Sequence, residues 1–134
     1  MEKFIIEGQH PLHGEMTPAG NKNAALPLLA ACLLTDEPVL MHNVPAIGDV
    51  KAMRALLESL GVEITTVSNH TWQIHAREVR PADLDPDMCR KIRASILLAG
   101  PMTARSGELH LPPPGGDVIG RRRVDTHLLA LRKL

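Results

Sequence analysis

Aromatic side chains are almost missing from this 134-residue chain: Phe4 and Trp72 are the only two, and tyrosine is absent. That removes the stacking surfaces on which single-strand nucleic-acid binders hold their bases. Net charge is missing too. Fifteen basic residues meet 15 acidic ones, so no overall field favours nucleic acid or an anionic membrane, and any anion site must be local. Cysteine is scarce. Cys32 and Cys89 lack CxxC spacing, and each sits in an apolar, helix-like run, which predicts buried, reduced thiols and a cytoplasmic setting. No hydrophobic run reaches membrane-spanning length, because charges or prolines interrupt each one. The apolar run in MEKFIIEGQH is too short for a signal peptide. His10 and His13 flank Pro11 in a loop, the other histidines are scattered, and no metal site is expected.

What is present is a globular composition, 44% hydrophobic and 22% charged, in a chain of ordinary single-domain length. Its most unusual stretch is PPPGGDVIGRRRVDTH, Pro112 to His127. Three prolines stiffen the approach, Gly115 and Gly116 admit backbone angles closed to other residues, and Gly120 frees a second point before three arginines. The segment is a loop whose one early carboxylate, Asp117, lies near Arg121, Arg122 and Arg123, with a helix beginning about Val124 and Asp125. From Arg121 to Lys133 five basic residues face one acid, so a local anion site has an address here. A carboxyl group beside cations at a helix N-terminus suits an anionic substrate that must receive a proton. Loops of this composition are also ordinary solvated connectors, and the stretch alone leaves both readings open.

Taken in order, Lys3 to Glu7 reads as a short strand and Gly14 to Pro18 as a second extended piece. Asn21 caps a helix from Lys22 to about Leu34. Lys22 is out of place there, since a cation in the first turn meets the positive end of the helix dipole; something negative is expected at that helix end, unless the head simply sits in water. Val39 to His42 is a strand. A helix capped by Asp49 runs from Val50 to Leu60, with Val50, Met53, Leu56, Leu57 and Leu60 on one stripe and Lys51, Arg54 and Glu58 outside. Gly61 ends it, and Val62 to Val67 with Trp72 to His75 form a hairpin around Ser68, Asn69 and His70.

The order then repeats. After a polar link from Ala76 to Pro86, a long helix from about Asp87 carries Arg93 and is bent or ended at Pro101. Glu108 to Leu111 is a strand, and Val124 to Leu134 a helix. The fold class expected is α/β, in helix-strand-helix-strand-strand units: a first unit over 21–76 and an incomplete second over 77–134, preceded by the extended pieces in 1–20. The final helix would expose an apolar stripe of Val124, Leu128, Leu131 and Leu134. The chain therefore reads as the N-terminal piece of a longer protein, and heating the isolated chain is expected to give no sharp transition.

These residues resemble the enolpyruvyl transferases, and within them the branch acting on UDP-N-acetylglucosamine in peptidoglycan synthesis. The likeness covers nearly the whole chain and rests on GNKNAALP at Gly20 to Pro27, NVP at Asn43 to Pro45, LESLG followed by a hairpin, IRAS at Ile92 to Ser95 and PGGDVIGRRRVDTH at Pro114 to His127. The family's fold is two domains, each an inside-out α/β barrel of three such units, so the resemblance implies that about two units of six are present. It also implies that enolpyruvate moves from phosphoenolpyruvate to UDP-N-acetylglucosamine with release of phosphate, that no cofactor takes part, and that the family's general base and another phosphoenolpyruvate arginine lie in later sequence. The isolated chain is then expected to be inactive until joined to the C-terminal part.

Carried over residue by residue, the resemblance makes Lys22 a phosphoenolpyruvate ligand, Asn23 the amide that fixes the amino sugar, and Arg93 an arginine of the substrate site. Arg122 matches the loop arginine on the phosphoenolpyruvate anion, whereas Arg121 and Arg123 depart from the small residue and proline common elsewhere. Arg123, Val124, Asp125, Thr126 and His127 fall where the family binds the uridine end, Thr126 replacing a more usual aliphatic residue. Asp117 stands where most members carry a reactive cysteine; a subset has aspartate. It would be the proton donor to the methylene carbon, with neighbouring arginines favouring its ionised form and bound phosphate the neutral one. Fosfomycin alkylates the loop cysteine of the family, so aspartate implies resistance. Two other readings remain at this point: the sister reaction on shikimate 3-phosphate, and a non-catalytic anion-binding module using Lys22, Arg93 and Arg122.

Overall fold

The computed structural model describes residues 3–80, 84–116, 120 and 123–133. The core is built around α2, Gly48–Ser59, whose apolar stripe is buried as the 3.6-residue spacing requires: Val50, Met53, Leu56 and Leu57, with Leu60 just beyond, have no exposed surface. Gly61 follows at φ +93°, the left-handed turn that ends a helix without a Cβ penalty. Against α2 lies α1, Lys22–Ala31, which continues as a 3-10 turn over Cys32–Leu34 and buries Ala25, Leu26, Leu29, Ala30 and Leu33.

Beside these helices β1 (Val39–Met41), β2 (Glu63–Ser68) and β3 (Thr71–His75) form an antiparallel sheet in the order β1-β3-β2. The pairs Met41 with Trp72, Val39 with Ile74 and Ile64 with Ile74 set the register, and alternation turns Ile64, Trp72 and Ile74 to the core. Arg54, expected outside, instead lies 5.0 Å over the Trp72 ring. Its guanidinium bonds Glu58, the Thr66 hydroxyl and the Ile64 carbonyl, all at 2.8–2.9 Å, so the charged head ties α2 to the hairpin while its stem covers the indole. The helix-strand-helix-strand-strand order expected of the first unit is therefore formed.

Beyond it the expectations need correction. The long helix expected from Asp87 is broken into α3 (Pro86–Lys91), an extended Ile92, a 3-10 turn over Arg93–Leu98 and α4 (Ala99–Ser106). Pro101 neither bends nor ends it; it sits in the first turn of α4, where the missing N–H costs no helical bond. Glu108 to Leu111 is not a strand. Leu109 and Leu111 do alternate onto the core, but no described strand offers them a ladder partner. The strands expected at Lys3–Glu7 and Gly14–Pro18 are likewise absent: the segment is irregular, and Phe4, Ile5 and Ile6 are about nine-tenths exposed. Asp49 is not the cap of α2 but lies within its first turn, behind Ile47 at the N-cap. The last helix, α5, covers only Asp125–Leu131 and buries none of its side chains, Leu128 and Leu129 being exposed; Leu134 lies outside the described residues. No described helix is long and apolar enough to cross a membrane.

Cys32 and Cys89 are buried and unpaired. Burial pushes both thiols up, and at Cys89 the Asp85 carboxylate adds to it. Neither thiol is expected to react with iodoacetamide in the native protein at neutral pH, while denatured protein takes up two equivalents. Fast labelling before unfolding would contradict the burial.

A cationic cavity at the start of helix α1

Asn21 caps α1 as its side chain predicts, accepting a hydrogen bond from the Asn23 N–H at 2.8 Å. The next residue, Lys22, meets its negative partner within the chain itself: its Nζ lies 2.6 Å from Asp49 Oδ2, in the first turn of α2. One carboxylate thus offsets the lysine's poor position on its own dipole and sits favourably on that of α2. The two side chains remain 45% and 39% exposed, so the pair stabilises the fold by only ~0–1 kcal/mol and yields readily to a competing anion.

Lys22, Asn23 and Asp49 open into a cavity of about 380 Å³, closed on its far side by the broken helix at Lys91 to Ala94 and by Gly116. Leu26, Pro27, Ile92 and Leu97 supply apolar wall. Three cations, Lys22, Lys91 and Arg93, face one carboxylate there. Because Ile92 is extended, Lys91 and Arg93 flank it as i and i+2 residues of a strand do, on one side of the chain. Pro27, inside α1, has no N–H to give the Asn23 carbonyl. The arrangement suits a small, doubly charged anion with an apolar edge.

The glycine pair is held rather than loose. Gly115 donates its N–H to the Cys89 carbonyl at 3.1 Å and Gly116 to the Arg90 carbonyl at 3.0 Å. A Cβ on Gly115 would overlap the Arg90 carbonyl, and Gly116, at φ +88°, packs against the backbone of Arg93. Of the residues singled out in sequence, the structure brings Lys22, Asn23 and Arg93 together around this cavity. Asp117, Arg121 and Arg122 lie outside the described residues, although Asp117 follows Gly116 directly in the chain. Arg123, Val124, Asp125, Thr126 and His127 do not line the cavity. They form the start of α5, where the Arg123 guanidinium pairs with Asp125, Nε to Oδ2 at 2.6 Å.

Sequence reading missed Lys91 and the role of Asp49. A continuous helix sets Lys91 and Arg93 roughly 200° apart, on opposite faces, and only the break at Ile92 unites them. Asp49 stands beside Gly48 at a helix start, where a capping role accounts for it without any partner 27 residues away.

The chain is 56% identical over 132 residues to UDP-N-acetylglucosamine 1-carboxyvinyltransferase of Bradyrhizobium diazoefficiens, covering 98% of this chain and 31% of that protein. It is 47% identical over 134 residues to the enzyme of the same name from Treponema denticola, covering all of this chain and 32% of the relative. The chain thus spans about a third of the length of the curated relatives it matches. Among solved structures it is similar to the enolpyruvyl transferase NikO from Streptomyces tendae, with a TM-score of 0.61 at 22% identity over 66% of this chain and 21% of that one. That likeness shows a shared fold, the mixed helix-and-sheet class expected above. The family described as EPSP synthase (3-phosphoshikimate 1-carboxyvinyltransferase) matches residues 6–134, so this chain, with its cation-lined cavity at the tip of α1, belongs to it.

Proposed function

We propose that the protein carrying this chain transfers the enolpyruvyl group of phosphoenolpyruvate to UDP-N-acetylglucosamine, with release of phosphate, as a step of cytoplasmic peptidoglycan synthesis. The observation that carries the reading is the convergence of Lys22, Asn23, Arg93 and Gly116 on one cavity with an excess of two cations. Phosphoenolpyruvate presents a phosphate and a carboxylate around a small apolar methylene group. The cations and the apolar wall match those two halves. The names of the relatives above support the acceptor.

In this reading Lys22 leaves Asp49 to meet the phosphate, Arg93 holds the anion from the facing side, and Asn23 orients the acceptor sugar. Asp117, the residue after Gly116, gives its carboxyl proton to the methylene carbon while the sugar hydroxyl attacks the adjacent carbon, its own proton passing to the general base expected in later sequence. The tetrahedral adduct then loses phosphate and the added proton, restoring the double bond. Arg122 neutralises the phosphoenolpyruvate anion. Arg123, Val124, Asp125, Thr126 and His127 receive the uridine end, from a surface that the cavity does not include. Residues 21–134 form part of one barrel domain, in two units at 21–76 and 77–134, and residues 1–20 pair with the other domain; the exposure of Phe4, Ile5 and Ile6 supports that assignment.

A phosphate-release assay on the full gene product tests the reading. Release from phosphoenolpyruvate is expected with UDP-N-acetylglucosamine as acceptor. Release with shikimate 3-phosphate instead transfers the protein to the sister reaction, and binding of phosphoenolpyruvate without release on either acceptor makes it an anion-binding module. Fosfomycin gives a second check. A carboxylate attacks an epoxide far more slowly than a thiolate, so no covalent adduct is expected on the wild-type protein, whereas Asp117→Cys restores labelling visible as a mass increase. An adduct on Asp117 itself would overturn this expectation.

A further inference from the structure

The break between α3 and the Arg93–Leu98 turn is where the sequence and the structure differ most, and its hydrogen bonds explain what holds it open. In a continuous helix the N–H groups of Arg93 and Ala94 would take the carbonyls of Cys89 and Arg90. Here those same two carbonyls accept from Gly115 and Gly116, at 3.1 and 3.0 Å. Helix continuation and docking of the glycine pair therefore compete for one pair of acceptors.

Ser95 tips that competition. It is fully buried, the one polar residue in the described core, and its hydroxyl lies 3.1 Å from the Ile92 carbonyl and 3.4 Å from that of Cys89. Its own N–H reaches Ile92 only at 3.5 Å, so the hydroxyl is the better donor to the residue at which the helix breaks. A buried hydroxyl that bonds backbone carbonyls outside the α-helical ladder disfavours the α-helix that would otherwise form.

We propose that Ser95 is a positioning residue: it keeps the helix broken at Ile92, so that Gly115 and Gly116 stay clasped to Cys89 and Arg90 and Arg93 is held at the cavity. The anion-binding half of this inference rests on the function proposed above; the clasp itself does not. Ser95→Ala removes the hydroxyl and installs the residue with the highest helix propensity, so both changes act in the same direction.

The test uses the full gene product and two readouts. In Ser95→Ala, backbone amide exchange at Gly115 and Gly116 is expected to quicken by about tenfold or more, the scale of one lost hydrogen bond, with exchange in α2 and β3 unchanged. Calorimetry is expected to show phosphoenolpyruvate binding weakened by about tenfold. Gly115→Ala opens the clasp from the loop side by steric overlap with Arg90, and is expected to reproduce both effects if Ser95→Ala proves too unstable to study. Unchanged exchange at the two glycines overturns the clasp. Quickened exchange with unchanged affinity overturns the positioning role. If the wild-type protein binds no phosphoenolpyruvate, the proposed function falls, and with it the anion half, while the exchange rates still decide the clasp.

Discussion

Replacing Asp117 with Asn is expected to cut turnover of the full gene product by ~100-fold or more, the usual scale for loss of a general acid. Asparagine keeps the size of the side chain and its ability to hydrogen-bond, but it has no proton to give to carbon. Carbon protonation at the methylene group is the step that makes the adjacent carbon electrophilic, so nothing later in the reaction can compensate. Binding is a separate matter. Lys22, Lys91 and Arg93 line the cavity independently of residue 117, so the affinity for phosphoenolpyruvate is expected to change by no more than a few fold. The signature is a fall in kcat with little change in binding, measured by phosphate release and calorimetry on the same preparation. Near-normal turnover would remove Asp117 from proton transfer, and a matching collapse in affinity would make it a binding residue instead.

How far the sequence reveals this molecule depends on the range over which each feature is decided. The stripe of α2 was legible because burial of Val50, Met53, Leu56, Leu57 and Leu60 is written in a local period, and Gly61 marks its end with a backbone angle that few other residues accept. The hairpin followed from alternation about a polar turn. Arg93 with Lys91 was not legible, since RKIRASILLAG has every local property of one helix. What breaks it is a pair of N–H groups more than twenty residues on, together with one buried hydroxyl. The expectation at Glu108 to Leu111 failed in a related way: Leu109 and Leu111 alternate as a strand does, but a strand needs a neighbour, and no local pattern shows whether one is there. The candidate site divides on the same line. Lys22 stood out because it offends a local rule, yet the carboxylate that answers it, Asp49, comes from another helix.

That pairing leads to the second large effect. Lys22→Ala is expected to weaken phosphoenolpyruvate binding by ~100-fold, more than loss of one charge-assisted hydrogen bond alone, at ~1.5–3 kcal/mol, would require at its lower bound. The reason is that the substitution acts twice: it removes a cation from the cavity and leaves the Asp49 carboxylate, formerly 2.6 Å from Nζ, facing the incoming anion without its partner. Adding Asp49→Asn to Lys22→Ala removes that repulsion and is expected to restore about tenfold of the lost affinity, whereas Asp49→Asn alone frees Lys22 and tightens binding by a few fold. The four proteins form a double-mutant cycle in which the Asp49 effect depends on Lys22. Because both side chains are partly open to water, the differences are expected to shrink as salt is raised from 0.05 to 0.5 M, an estimate resting on a Debye length that falls from roughly 14 to 4 Å. If Asp49→Asn leaves affinity untouched in the Lys22→Ala background, the carboxylate does not oppose the anion, and the cavity's charge excess is not what binds it.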